Sequence, residues 1–144
     1  MNISIVDGSN YFKGLLLLIR KDRQVSDAEF AIMRRVGKML GFEKEFCDNA
    51  IRDILENDYI EDSPPRFEST ELAKKFIKDG LMIAFADHDR CHPAEEAWLW
   101  SVVAVNEVDE LWFQEEYRAA SLKKEEPAPM EVEDVTVIYS HPSK

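Results

Sequence analysis

Two short stretches of this 144-residue chain gather the side chains whose types and spacing could do chemistry. The first carries Asp22, Arg23 and Glu29. The second carries Asp87, His88, Asp89, Arg90, Cys91, His92, Glu95 and Glu96. In the second, His88, Cys91, His92 and Glu95 are a soft donor set that suits zinc, nickel or copper. His92 and Glu95, three apart at a helix start, share a face. Asp87 and Asp89 fit positions 1 and 3 of a calcium loop, but His92 stands where that loop needs Gly and Trp98 where it needs a bidentate Glu. The stretch is not an EF-hand. Cys91-His92 makes a poor nucleophile–base pair, because adjacent residues at a helix start point apart and no orienting group or oxyanion donor accompanies them. With no glycine-rich phosphate loop and no G-x-S-x-G, the chain is expected not to be an enzyme.

The same residues also have a plain structural reading. Ser26-Asp27-Ala28-Glu29 has the S-x-x-E form of a capping box, in which the Ser hydroxyl accepts from the Glu29 N–H and the carboxylate reaches back. Acidic residues in a first helical turn are favoured by the helix dipole without any ligand, and Asp22-Arg23 and Asp89-Arg90 can pair locally. In the second stretch Asp87, Asp89, Glu95 and Glu96 exceed what capping requires.

The elements that must position these turns are helices. Asp7 to Asn10 reads as a turn, followed by a nearly continuous apolar helix from Tyr11 to about Lys21. A second helix carries Phe30, Met33, Val36, Gly37 and Leu40, and Gly41 is placed to end it in a left-handed conformation. A third shows two adjacent rows, Phe46, Ala50, Ile54 and Cys47, Ile51, Leu55. After a loop with Pro64-Pro65, Ser69-Thr70-Glu71 opens a fourth helix, and Pro93 suits the first turn of a fifth. A sixth begins near Asp109. The predicted fold is all-α: about six main helices in two three-helix halves, at about 10–57 and 69–120, in one domain over 1–122. Residues 123–144 read as an acidic, partly disordered tail. Within the tail Val135, Val137 and Tyr139 alternate and can pair with Ile3 and Ile5 as a terminal β-ribbon, although an isolated ribbon is marginal.

Composition narrows the partners. The longest aliphatic run, Leu15 to Ile19, is five residues, against the roughly 20 a bilayer-spanning helix needs. No secretory signal is recognisable, and two cysteines suit a reducing cytoplasm better than a disulfide framework. The net charge of −11 repels phosphate backbones, so no nucleic acid is expected. Charge is uneven: residues 1–42 hold seven Lys/Arg and four Asp/Glu, a net of +3, and the remainder is strongly acidic. A protein partner is the remaining class. Trp100 and Phe113 fall off the main apolar rows of helices five and six, where they are extra core or else exposed for docking, and the acidic tail is a second docking candidate.

The two stretches are copies of one unit. A shift of 67 sets Asp22-Arg23 on Asp89-Arg90 and Glu29 on Glu96, while a shift of 66 places Phe46 on Trp112. LLLLIRKDRQVSDAEFAIMRRVGKMLGF and LMIAFADHDRCHPAEEAWLWSVVAVNEV resemble the two halves of the TerB-like tellurite-resistance family. A similar domain begins some membrane-anchored J-domain co-chaperones. The resemblance covers roughly Phe12 to Tyr117 and implies a non-enzymatic domain tied to stress and metal resistance. It also implies an acidic divalent-cation site at Asp22, Glu29, Asp89 and Glu96, with Asp87 and Glu95 as extra carboxylates. Such oxygen ligands suit calcium or magnesium ahead of zinc or nickel, with His88, Cys91 and His92 as less favoured ligands. Arg23 and Arg90 stand where the family's turn carries Gly; a left-handed backbone there costs them ~1 kcal/mol.

Overall fold

A computed structural model describes residues 1–22, 27–56, 63–85, 91–122 and 130–138. The described residues form an all-α bundle with one two-stranded sheet. In chain order these are β1 (Asn2–Ile3), α1 (Ile5–Ile19), α2 (Asp27–Met39), α3 (Lys44–Glu56), α4 (Thr70–Ala84), α5 (Pro93–Val105), α6 (Glu110–Leu122) and β2 (Thr136–Val137). Two 3₁₀ turns, Arg20–Asp22 and Glu131–Asp134, follow α1 and precede β2.

The first departure from the sequence reading is at the start of α1. Asp7 to Asn10 is not a turn but the first turns of the helix, because the Ser4 hydroxyl accepts from the Asp7 N–H at 3.1 Å and caps the chain six residues early. From Tyr11 onward the helix is buried on nearly every side, and it packs against α2, α3, α4 and α5. It is the axis of the bundle. Gly14 makes its approach to α4 close: a Cβ there would lie 2.8 Å from the Phe76 ring and 3.0 Å from Pro65.

The two halves repeat each other's helix lengths, first caps and closing turns. Helix lengths run 15, 13, 13 in both. Ser4 and Ser69, 65 apart, cap α1 and α4 with the same 3.1 Å bond. Leu40, Gly41 and Phe42 donate to Val36, Lys38 and Gly37. Asn106, Glu107 and Val108, each 66 further on, donate to Val102, Ala104 and Val103. The left-handed residue of each turn falls at the matching place, Gly41 (φ 85°) and Glu107 (φ 54°). The connection from α4 to α5 is therefore one residue longer than that from α1 to α2, eight residues against seven.

The first described strand pairs with the last. β1 and β2 are parallel, with Asn2 beside Thr136 and Ile3 beside Val137. Thr136 donates to the Met1 carbonyl at 2.7 Å and Ile138 to that of Ile3 at 2.9 Å. The expected ribbon is present but shorter, because Ile5 has entered α1; Tyr139 lies outside the described residues. A parallel pair needs a long crossover, and here the six helices supply it. Residues 130–138 depart from the expectation of a tail beyond Leu122. Met130, Val132, Val135 and Val137 are buried in the same core as the helices.

Replacing Gly14 with Ala pushes α1 away from Phe76. The expected loss is about 1–3 kcal/mol of stability despite Ala's better helix propensity, read as a lower denaturant midpoint with an unchanged slope.

Candidate functional site

The second acidic turn feeds α5, and its described part is occupied by capping. His92 is the N-cap: its Nδ1 accepts from the Ala94 N–H at 3.0 Å, which assigns the ring proton to Nε2. Its own N–H donates to Glu95 Oε1 at 3.1 Å. Glu95 is 2 % exposed, three residues into the helix, where a capping-box carboxylate belongs. Glu29 is likewise buried, three residues into α2. The structural partner of Glu29 is therefore Glu95, 66 residues on, and not Glu96 as the 67-residue alignment of the Asp-Arg pairs has it.

Glu96 takes a different part. Its carboxylate faces Trp100 Nε1 at 3.4 Å and the Tyr117 hydroxyl on α6, whose pKa is pushed up to about 12 by burial and by that contact. Cys91 sits beneath the same corner. Burial first, then the charges of Glu95 and Glu96, push its thiol up to about 12, the opposite of the shift that activates a cysteine nucleophile. Asp87, His88 and Asp89 lie outside the described residues, as do Arg23, Ser26 and Arg90; the backbone of Asp22 closes the 3₁₀ turn after α1. Among the described residues, no group of three His, Cys, Asp or Glu is placed to hold a metal.

The described residues that flank the two acidic turns approach each other. The 3₁₀ turn Arg20–Asp22 packs against α5, and the Lys21 ammonium lies 6.0 Å from the centre of the Trp98 ring. The first turn thus begins beside the helix that the second turn opens.

Of the two aromatics off the main rows of α5 and α6, neither stands fully exposed. Phe113 is buried, and its ring meets that of half-buried Trp100 edge-on at 4.6 Å. They join the two helices. The exposed apolar residues of α6 are Leu111 and Leu122. No described helix is long and apolar enough to cross a membrane.

The most constrained polar group was not singled out from the sequence. Asp79, in the middle of α4, is 1 % exposed. One carboxylate oxygen accepts from Tyr11 Oη at 2.6 Å and from the Val132 N–H at 2.9 Å; the other accepts from the Glu131 N–H at 2.6 Å. Burial pushes its pKa up to about 6, against the pull of the three donors. A signal existed: Asp79 follows Phe76 by three positions, on the apolar row of its helix. Asn106 plays a similar part at the end of α5. Its Oδ1 accepts from the Phe67 N–H at 2.9 Å, and its Nδ2 donates to the Pro65 and Val102 carbonyls at 2.9 Å each. Beside it, a polar depression of about 160 Å³ lies between Arg66–Thr70 and Val105–Glu107.

Comparison of this chain with protein-family models, with curated proteins and with solved structures finds no match.

Asp79→Ala strands two buried backbone N–H groups and a phenol; Tyr11→Phe removes only one donor. The expected losses are about 3–5 and about 1–2 kcal/mol, compared by chemical denaturation. The Asp79 carboxyl titrates higher folded (about 6) than unfolded (3.8). Its contribution is therefore fullest below pH 4, declines as pH rises toward 6, and is level above that. Against Asp79→Asn, in which all other carboxylates cancel, the wild-type chain should gain on the order of 2–3 kcal/mol between pH 7 and pH 4.

Proposed function

We propose that this chain is a non-enzymatic, cytoplasmic, TerB-like module with a stress- or tellurite-associated role. In this reading its two acidic interhelical turns act together, with a divalent cation as ligand. What supports it is the packing of Arg20–Asp22, where the first acidic turn begins, against α5, the helix that the second acidic turn precedes. Asp22, Asp87 and Asp89 would supply oxygens, and Glu96 stands at the edge of the same corner. Glu29 and Glu95 would serve by fixing the two helix starts from beneath. Calcium and magnesium suit carboxylates better than zinc or nickel does.

A second reading has its own observation. The His92–Glu95 capping box uses the buried Glu95 carboxylate for the helix itself. Under that reading the acidic turns are structural and the domain is an interaction scaffold.

Equilibrium dialysis of tag-free protein against calcium, magnesium and zinc, followed by metal analysis, separates the two. The cation reading expects a stoichiometric ion. It also expects a melting midpoint several degrees higher at 100-fold excess over the dissociation constant, equivalent to ~2.7 kcal/mol. Both effects should vanish in an Asp22→Asn/Asp89→Asn variant. Protein that retains no ion and melts at the same temperature in every metal belongs to the scaffold reading.

A further inference from the structure

Residues 130–138 lie across α2 and α4 and beside β1 in the manner of a bound peptide. Their backbone is held by groups that read no side chain. Asp79 accepts from the Glu131 and Val132 N–H groups, and β1 accepts from Thr136 and Ile138. Their side chains divide by chemistry. Met130, Val132, Val135 and Val137 enter the core. Val137 occupies a socket that exists because residue 8 is Gly, since a Cβ there would lie 2.9 Å from the valine methyl. The carboxylates face cations of the bundle: Glu133 meets Arg35 at 2.9 Å, and Glu131 and Asp134 meet Lys75 at 3.6 and 3.8 Å. Backbone pairing for affinity, alternate apolar sockets for specificity and flanking charge for sign are the parts of a strand-addition site. This segment joins the helices through residues 123–129, Lys-Lys-Glu-Glu-Pro-Ala-Pro.

We propose that the groove across α2 and α4 beside β1 is a peptide-recognition groove, occupied in cis by residues 130–138. The partner that fits it in trans is an extended acidic peptide with apolar side chains at the spacing of Val132, Val135 and Val137. The inference goes beyond the cation reading and does not depend on it, since no residue of the acidic turns takes part. A tether of a few residues gives the resident segment a millimolar effective concentration. A partner therefore binds when the segment opens locally, without unfolding of the bundle.

The test uses the full chain. In native-state hydrogen exchange the amides of Glu131, Val132, Thr136 and Ile138 should open at least tenfold more readily than those buried in α1 and α4. Exchange of all these amides in one cooperative step would overturn the proposal, because the segment would then be inseparable from the core. A fluorescein-labelled synthetic peptide of residues 130–138 is then titrated by polarisation against the wild-type chain and against Val132→Asp, which weakens the resident segment. Val132→Asp should bind it at least tenfold more tightly than wild type. Adding Arg35→Glu, on an exposed side chain, should weaken that binding several-fold. If Val132→Asp keeps native protection in α1 and α4 yet ignores the peptide at millimolar concentration, the groove is not a recognition site. Should Val132→Asp fail to fold, the same peptide is titrated against Val135→Thr, with the same two outcomes. Peptide-independent dimers that trade the segment between copies would also overturn the proposal, by making a second copy the occupant.

Discussion

One buried carboxylate ties this molecule together. Asp79 sits on the helix that packs against the central α1, takes a proton donor from Tyr11 on α1, and takes two more from the backbone of residues 131 and 132. A carboxylate in that position is tolerable only with every lone-pair direction used well, because an unpaired buried charge costs far more than the bonds return. The cost of burial is visible in its raised pKa. In exchange, the C-terminal segment has one register. Side-chain packing of Val132, Val135 and Val137 alone would tolerate slippage, whereas two adjacent N–H groups on one carboxylate do not.

Around that contact the bundle is built twice. The caps at Ser4 and Ser69, and the left-handed turns at Gly41 and Glu107, show two halves with the same local rules. The differences are where the halves have specialised. Position 14 is Gly and position 79, its match at 65 residues, is Asp: the first lets the helices approach, and the second receives the C-terminal segment. Leu40 and Asn106 occupy matching places, and Asn106 has become the anchor of the segment before α4. The connection into α5 is one residue longer, and this is the connection that carries His88, Cys91 and the surplus acids. The extra residue takes the offset from 65 in the first helix of each half to 66 in the helices that follow. The 67-residue offset of the Asp-Arg pairs matches neither, so Glu95 rather than Glu96 takes the role of Glu29.

These features give the two acidic turns unequal standing. Both open a helix with a buried Glu at the third position, which is capping chemistry. Only the second has a buried cysteine, a helix-capping histidine and a second carboxylate engaged with aromatics of α6. The described side of that corner is thus tied to both α5 and α6.

The helices were legible in the sequence because apolar side chains recur at helical spacing and because Pro93, Ser69 and Gly41 punctuate them; those are local rules, decided within a turn or two of chain. The internal duplication was legible for the same reason, in its order if not in its register. The start of α1 was not, because Gly8 and Asn10 argue for a turn while the Ser4 cap and the packing of Gly8 against Val137 argue for a helix, and the second contact spans 129 residues. Nor were the fate of residues 130–138 or the part played by Asp79. Each is a pairing between groups far apart in the chain, and no periodicity encodes which donor will face a given acceptor. The sequence by itself determined the helices and their order; the tertiary structure alone decided which polar groups are buried together, because the cost of burying them is settled by partners that only the folded chain brings near.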